Sequence, residues 1–303
     1  MCEIAVIGGG LAGLSAARHA ARLGRLVTLF EGSGLYGGLV ATIGEVEDLP
    51  FPGHHSGQDL AMHLYEGARM ARVQLIEVGV KTLDAAARLT LTDEEGTAHQ
   101  PETVIVASGG SLRRLGVPGE EEFAGRGVSR CATCDGGFYR DKDVVVVGGG
   151  DGAVHEALEL AKICRTVTMV CRSPMRAKRE HIDKLDAREN LRFVWDSEVT
   201  AIVGEGKVGG VALRNVMNGT LSKLECSGVF PFIGVEPNTA FLPASLLAPS
   251  GHVSAGADCI SADPRIFAVG AARLGYGGTG IEAMAEGIRA ADAAVRILNE
   301  KVR

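Results

Sequence analysis

Residues 6–33, VIGGGLAGLSAARHAARLGRLVTLFEGS, align without a gap on residues 146–173, VVGGGDGAVHEALELAKICRTVTMVCRS. Each stretch opens on a β-branched apolar run, turns through three glycines and continues with helical periodicity. Each closes on a second apolar run, RLVTLF or RTVTMV. This is a strand–helix–strand unit, and its repetition predicts two copies of one nucleotide-binding architecture. Gly8, Gly10 and Gly13 form a G-x-G-x-x-G fingerprint; Gly148, Gly150 and Ala153, with Asp151 between them, form its G-x-G-x-x-A version. The first glycine makes the turn and the second lets backbone approach a pyrophosphate at the helix N-terminus. The third position lets the helix pack closely on the strand. A lone fingerprint is weak evidence, but two in matched register, each between a strand and a helix, meet the context the motif demands.

The end of the second apolar run distinguishes the two units. In the first it is Glu31, suited to a ribose 2′-hydroxyl of an adenosine dinucleotide. In the second the aligned residue is Cys171, followed by Arg172, Ser173 and, shortly after, Arg176. An acid there repels a 2′-phosphate and an arginine pairs with it, so the second unit reads as an NADP site. The same arginines, in CRSPMRAKRE, also read as a solvated basic cluster.

Outward from the repeat, TVIVASGG (103–110) is a strand running into a small-residue turn, and LRRLGVPGEEEFAGRGVSR is an irregular crossing with an acidic, solvated GEEEF loop. GVFPFIGVEPNT (228–239) reads as a return crossing, and the tail is a strand, a glycine-rich loop and an alanine-rich helix. The expected fold is α/β, with two Rossmann-like domains of three-layer β/β/α type, the second inserted in the first. Their expected bounds are 1–112 and 239–303 for the first and 113–238 for the second. Composition agrees: 303 residues are enough for about two domains. Hydrophobic and charged fractions of 46% and 22% supply a core. A net charge of −6 gives no pointer to nucleic acid. The N-terminus reads as a first strand, not a signal peptide, and no apolar run reaches the ~18 residues of a membrane span. With cysteines few and scattered, a cytoplasmic, reducing setting is expected.

Cys131 and Cys134 stand two residues apart in SRCATCDGGFYR (129–140). A structural zinc normally needs four ligands, and no second pair stands nearby. As a staple, so short a loop constrains the unfolded chain little. A redox pair remains, in which a thiolate attacks disulfides and Asp135 can move the proton. Two dinucleotide sites and a dithiol make a relay from a nicotinamide through a flavin to a disulfide. His54 and His55 read as loop residues, Cys164 as core and Trp195 as strand packing.

The segment GRGVSRCATCDGGFYRDKDVVVVGGGDGAVHEALELA resembles the low-molecular-weight thioredoxin reductases, in which Cys-Ala-Thr-Cys-Asp precedes the second fingerprint at this distance. GGLVATIGEVEDLPFPGHHSGQDL, with Gly38, resembles that family's flavin-contacting stretch. The resemblance implies a homodimer with an FAD domain interrupted by an NADPH domain, and domains that rotate between two arrangements. It further implies that Cys134 faces the flavin, Cys131 attacks a thioredoxin-like or small disulfide substrate, and Asp135 is the acid/base. Three places depart from the family. Gly270-Ala271 stands where it carries Gly-Asp at the flavin ribityl chain, Gly278-Thr279 where it carries Arg-Gln, and Cys171-Arg172-Ser173 where it carries His-Arg-Arg. Gly277 and Gly278 offer backbone donors instead. The departures leave three readings: an NADPH–thioredoxin reductase; the same FAD and dithiol chemistry with a ferredoxin donor, or with O2 and a small dithiol; or a catalytically weak redox-sensing dimer.

Overall fold

The computed structural model describes residues 2–46, 49 and 55–301, so His54 and part of the flavin-contacting stretch lie outside the described residues. The chain divides into two compact units, Met1–Ser111 with Glu236–Arg303, and Leu112–Val235. In the first, β1 (Ile4–Ile7) leads through the glycine turn into α1 (Leu11–Arg22) and β2 (Val27–Phe30). Helix α2 (Gly57–Met70) starts at Ser56, whose Oγ accepts the Asp59 N–H at 3.0 Å, and ends before β3 (Gln74–Ile76). An antiparallel excursion follows, β4 (Val80–Asp84), β5 (Thr90–Asp93) and β6 (Ala98–His99), before β7 (Thr103–Val106) returns to the sheet.

Strand β8 (Gly110–Leu112) leaves the first unit. The second unit contains α3 (Ala132–Asp135), β9 (Asp143–Val147), α4 (Asp151–Ala161) and β10 (Thr166–Cys171). It continues with α5 (Arg179–Asp186) and β11 (Leu191–Trp195). The antiparallel β12 (Ser197–Glu205), β13 (Lys207–Asn215) and β14 (Leu221–Glu225) come next, and then β15 (Gly228–Pro231). Strand β16 (Val235–Pro237) pairs with β8, so the outgoing and returning chains run side by side. The first unit is completed by β17 (Ile266–Ala268) and α6 (Gly280–Lys301).

The parallel sheets are β17-β7-β1-β2-β3 and β11-β10-β9-β15. Strands β1, β7 and β15 are buried along their whole length, and β9 and β10 from their second residue onward, as sheets covered on both faces require. Strand pleat assigns alternate side chains to opposite layers. Ile4 and Val6 pack against α1 and α6, while Ala5 and Ile7 join Leu83, Leu89 and Leu91 beneath the antiparallel strands. The second unit repeats the scheme: Val144 and Val146 face α4, and Val145 and Val147 face Val199, Val208 and Val211. The expected three-layer β/β/α construction is therefore present in both units. Close approach of α1 and α6 depends on Gly287, where a Cβ would lie 2.2 Å from the Ala12 carbonyl oxygen.

Candidate redox and nucleotide sites

In both units the strand order reverses beside the first strand, and in open α/β sheets ligands bind in the crevice at that switch point. Gly8 follows β1 with φ +106°, and a Cβ there would sit 2.3 Å from the Ala107 carbonyl oxygen just beyond β7. Gly13 is tighter still, since its Cβ would meet the Gly8 carbonyl oxygen at 1.9 Å. Gly10 has nothing within 4 Å of a Cβ among the described residues, so its backbone faces open space at the head of α1. A Cβ on Gly38 would lie 3.6 Å from the Gly10 Cα, and Gly37 donates its N–H to the Gly9 carbonyl at 2.8 Å. Glu31, buried at the end of β2, accepts the Gly9 N–H on Oε2 and the Ser33 N–H and hydroxyl on Oε1, each at 2.7 Å. Ser108 Oγ and Tyr36 Oη are buried without a hydrogen-bond partner among the described residues.

The second unit reproduces this backbone with different side chains. Gly148 has φ +137°, and its Cβ would lie 2.2 Å from the Phe232 carbonyl oxygen beyond β15. Gly150 opens α4 with nothing within 4 Å of a Cβ among the described residues. Ala153 is buried against the strand. Cys171, in the place of Glu31, is a donor: its thiol points to the Gly148 carbonyl at 3.2 Å, and burial pushes its pKa up to about 11. The Arg176 N–H bonds the Gly149 carbonyl at 2.8 Å, which lays the arginine loop over the glycine turn with the Arg172 and Arg176 side chains exposed. Asp151 turns to that loop, accepting the Lys178 N–H at 2.8 Å and pairing with His181 Nδ1 at 3.0 Å.

Cys131 and Cys134 form a disulfide, with their Cα atoms 5.3 Å apart. Cys131 is the N-cap of α3, its Sγ accepting the Cys134 N–H at 3.0 Å; it is half-buried, whereas Cys134 is exposed. The Ser129 hydroxyl donates to Asp135 Oδ2 at 2.6 Å and accepts the Cys131 N–H at 3.2 Å, which ties the acid to the redox turn. A cavity of about 550 Å³ in this unit is lined by Arg114, Glu120, Ser129, Arg130 and Asp135 among others, so it reaches that acid.

Several structural roles are not those read from the sequence. Glu120 of the GEEEF loop is buried, accepting the N–H groups of Leu115 at 3.1 Å and Gly116 at 2.8 Å with Arg130 at 3.4 Å. Trp195, expected as strand packing, ends β11 and does stack on Phe193, though it stays 45% exposed. The Gly277 N–H donates to Glu282 Oε2 at 2.8 Å and so is already engaged. Beside Ala271, a carboxylate comes from elsewhere in the chain: buried Glu286 on α6 accepts the Gly270 N–H at 2.7 Å and the Arg273 Nε–H at 2.8 Å. Glu156 on α4 does the same at the dithiol, accepting the Ala132 N–H at 2.6 Å. Both glutamates sit in the buried stripe of a helix, a pattern visible in the sequence as an acid at core spacing. Cys164 is core, as its helical spacing implied.

The family model for pyridine nucleotide-disulphide oxidoreductases matches residues 2–296. A thioredoxin reductase of Streptomyces coelicolor is 39% identical, over 84% of this chain and 80% of its own. One from Treponema pallidum is 35% identical over 98% of this chain and 97% of its own. Among solved structures, Lactococcus lactis thioredoxin reductase in its FR conformation superposes with a TM-score of 0.95 at 30% identity, covering 99% of this chain and all of that one. No helix of the described residues is long and apolar enough to cross a membrane. Two dinucleotide folds, a disulfide at the head of a helix and these relatives agree: the chain belongs to the pyridine nucleotide-disulphide oxidoreductase family and is a flavoprotein disulfide oxidoreductase.

Proposed function

We propose that this chain passes electrons from NADPH to the Cys131–Cys134 pair and on to the disulfide of a thioredoxin-like protein, working as a cytoplasmic homodimer. The observation that carries the reading is the Cys131–Cys134 disulfide at the head of α3, with Asp135 hydrogen-bonded to the same turn. FAD, when bound, supplies the two-electron carrier that hydride and thiol chemistry both need. The first unit fits it: among the described residues the Gly10 backbone is bare, and the buried hydroxyls of Ser108 and Tyr36 have no hydrogen-bond partner. Gly8, Gly10, Gly13, Glu31, Gly38, Gly270 and Ala271 are the residues that would hold it. Gly148, Gly150, Ala153, Arg172 and Arg176 would hold NADPH, the arginines meeting the 2′-phosphate, with Asp151 beside them at the head of α4.

Reduction breaks the Cys131–Cys134 bond with two electrons and two protons. The Cys131 thiolate then attacks one sulfur of the substrate disulfide, and the departing substrate thiolate takes a proton held at Asp135 Oδ2. Cys134 attacks Cys131 Sγ, restores the enzyme disulfide and releases the substrate as a dithiol. Asp151 at the head of α4 and Cys171 in place of a phosphate-binding side chain favour a second reading: the same dithiol chemistry with a donor other than NADPH, such as reduced ferredoxin.

The test is anaerobic mixing of the flavin-loaded protein with NADPH, followed by an oxidised thioredoxin, in wild type, Cys134→Ser and Cys131→Ser. NADPH should bleach the visible flavin band within a turnover, and the variant should hold thioredoxin as a mixed disulfide on Cys131. A band that NADPH leaves oxidised overturns the donor assignment. A mixed disulfide that forms only in Cys131→Ser reverses the two cysteine roles.

A further inference from the structure

Between the two cysteines lies an amide whose partner is neither solvent nor its own helix. The Ala132 N–H, in the first turn of α3, is buried and donates at 2.6 Å to Oε2 of Glu156. Glu156 is 7% exposed and projects from α4, the helix of the second glycine fingerprint, in line with buried Ala153, Ala157 and Leu160. A solvent-facing residue would have served that helix better, because an isolated buried carboxylate is costly and the charged form gains little from one amide. The position therefore places a carboxyl group in the core immediately behind the redox turn.

We propose that Glu156 is the positioning residue of the dithiol: it fixes the amide between Cys131 and Cys134 and makes the ease of reducing the pair depend on the proton on its own carboxyl. This rests on the reading of Cys131–Cys134 as the redox pair. Burial raises the Glu156 pKa to about 7, so its charge state changes within the working range, and Glu159, one turn further along α4, pushes in the same direction. The elements packed on α4 carry other charged or titratable groups: Asp135 on α3, Asp143 on β9, Cys171 on β10, and the residues of α5, of which His181 is tied to Asp151. Among the charged groups of the described residues, Glu159 is the one that bears on the Glu156 carboxyl.

The linkage follows from charge. Reduction takes two electrons from the donor and leaves two sulfurs that share fewer than two protons when one remains a thiolate. A negative sulfur beside the Ala132 amide raises the pKa of Glu156 further, so the carboxyl takes up the missing proton on reduction and returns it on reoxidation. Well below pH 7 Glu156 is neutral and reduction proceeds against no buried charge. Above it, a carboxylate behind the turn opposes the thiolate and disfavours the reduced pair.

The test is equilibrium titration of Cys131–Cys134 in the flavin-loaded protein against dithiothreitol buffers from pH 6 to 9, read by alkylation and mass, in wild type and Glu156→Gln. The glutamine keeps an acceptor for the Ala132 N–H and removes the proton. The readout needs neither NADPH nor thioredoxin, so it stands apart from the donor and substrate assignments. Relative to Glu156→Gln, the wild-type equilibrium should be unchanged at pH 6 and shifted away from the reduced pair above pH 7, by up to about tenfold for groups coupled by one pKa unit. Parallel curves for the two proteins overturn the proposal. A pair that does not titrate at all overturns both it and the dithiol reading. If the variant does not fold, redox-difference infrared spectra of the wild type decide: a protonated carboxyl band should grow on reduction at pH 8, and its absence refutes proton uptake at Glu156.

Discussion

In the first unit the carboxylate of Glu31 reaches back across the glycine turn to the Gly9 N–H; in the second, the aligned Cys171 thiol donates to the Gly148 carbonyl. The same place in the same fold thus meets opposite ends of the peptide dipole. The heads of the following helices differ in the same sense. Helix α1 has no acid in its first turn, whereas α4 begins with Asp151. A helix N-terminus favours anions by its aligned N–H groups, so an acid there competes with a bound phosphate. The shared backbone is a consequence of sterics at the first glycine, Gly8 or Gly148, whose Cβ would meet a carbonyl oxygen beyond the neighbouring strand, and the ligand preference is left to residues the sterics do not constrain. That division explains how one repeated unit can serve two nucleotides.

The comparison breaks most severely at the third fingerprint position. Gly13→Ala would push a methyl to 1.9 Å from the Gly8 carbonyl, two pieces of backbone that cannot both yield, whereas the second unit already carries Ala153 there. We expect Gly13→Ala to cost about 3 kcal/mol or more and to abolish flavin retention. The converse change, Ala153→Gly, should cost about 1 kcal/mol through helix propensity alone. Thermal melts and flavin absorbance per chain separate the two outcomes. A Gly13→Ala protein with full flavin would show that the first crevice is not the flavin site.

Glu31→Gln is next in size. It keeps one acceptor but removes the charge from bonds to Gly9 and Ser33, and charge-assisted bonds are worth about 1.5–3 kcal/mol each. Flavin affinity, read by equilibrium dialysis, should fall roughly ten- to a hundredfold with little change in the KM for NADPH. Asp151→Asn is the smallest. It retains an acceptor for the Lys178 N–H and removes a negative charge from the head of α4, an effect of about 0.3–1 kcal/mol. The KM for NADPH should drop about two- to fivefold. A KM unchanged by Asp151→Asn would mean that the acid does not act on the bound nucleotide.

Much of this was legible in the sequence because it is local. A strand, a glycine turn and a helix announce themselves within thirty residues, and so does a Cys-x-x-Cys pair followed by Asp135. The layers were legible too, since pleat sends Ile4 and Val6 one way and Ala5 and Ile7 the other. What the sequence hid is long-range. Glu286 completes the turn at Gly270 from a helix sixteen residues on, and Glu156 reaches Ala132 across twenty-four. Read alone, Ala271 looked like a lost carboxylate; the fold brings a different one to the neighbouring amide. Gly277, expected as a free backbone donor, is engaged by Glu282 because the start of α6 folds back over the loop. Glu120 likewise looked solvated in GEEEF, yet two backbone N–H groups that would otherwise be unpaired draw it inward.

The pairing of β8 with β16 has a consequence for how such a chain can be assembled. The second unit enters and leaves through neighbouring residues, with the Arg113 N–H bonded to the Gly234 carbonyl at 2.9 Å. Its ends are thus already closed on each other, and joining them across the gap requires only a short turn, whose closure entropy is small. The inserted unit is a detachable cassette. Removal of the second unit at that ribbon would leave the strand order of the five-stranded sheet unchanged.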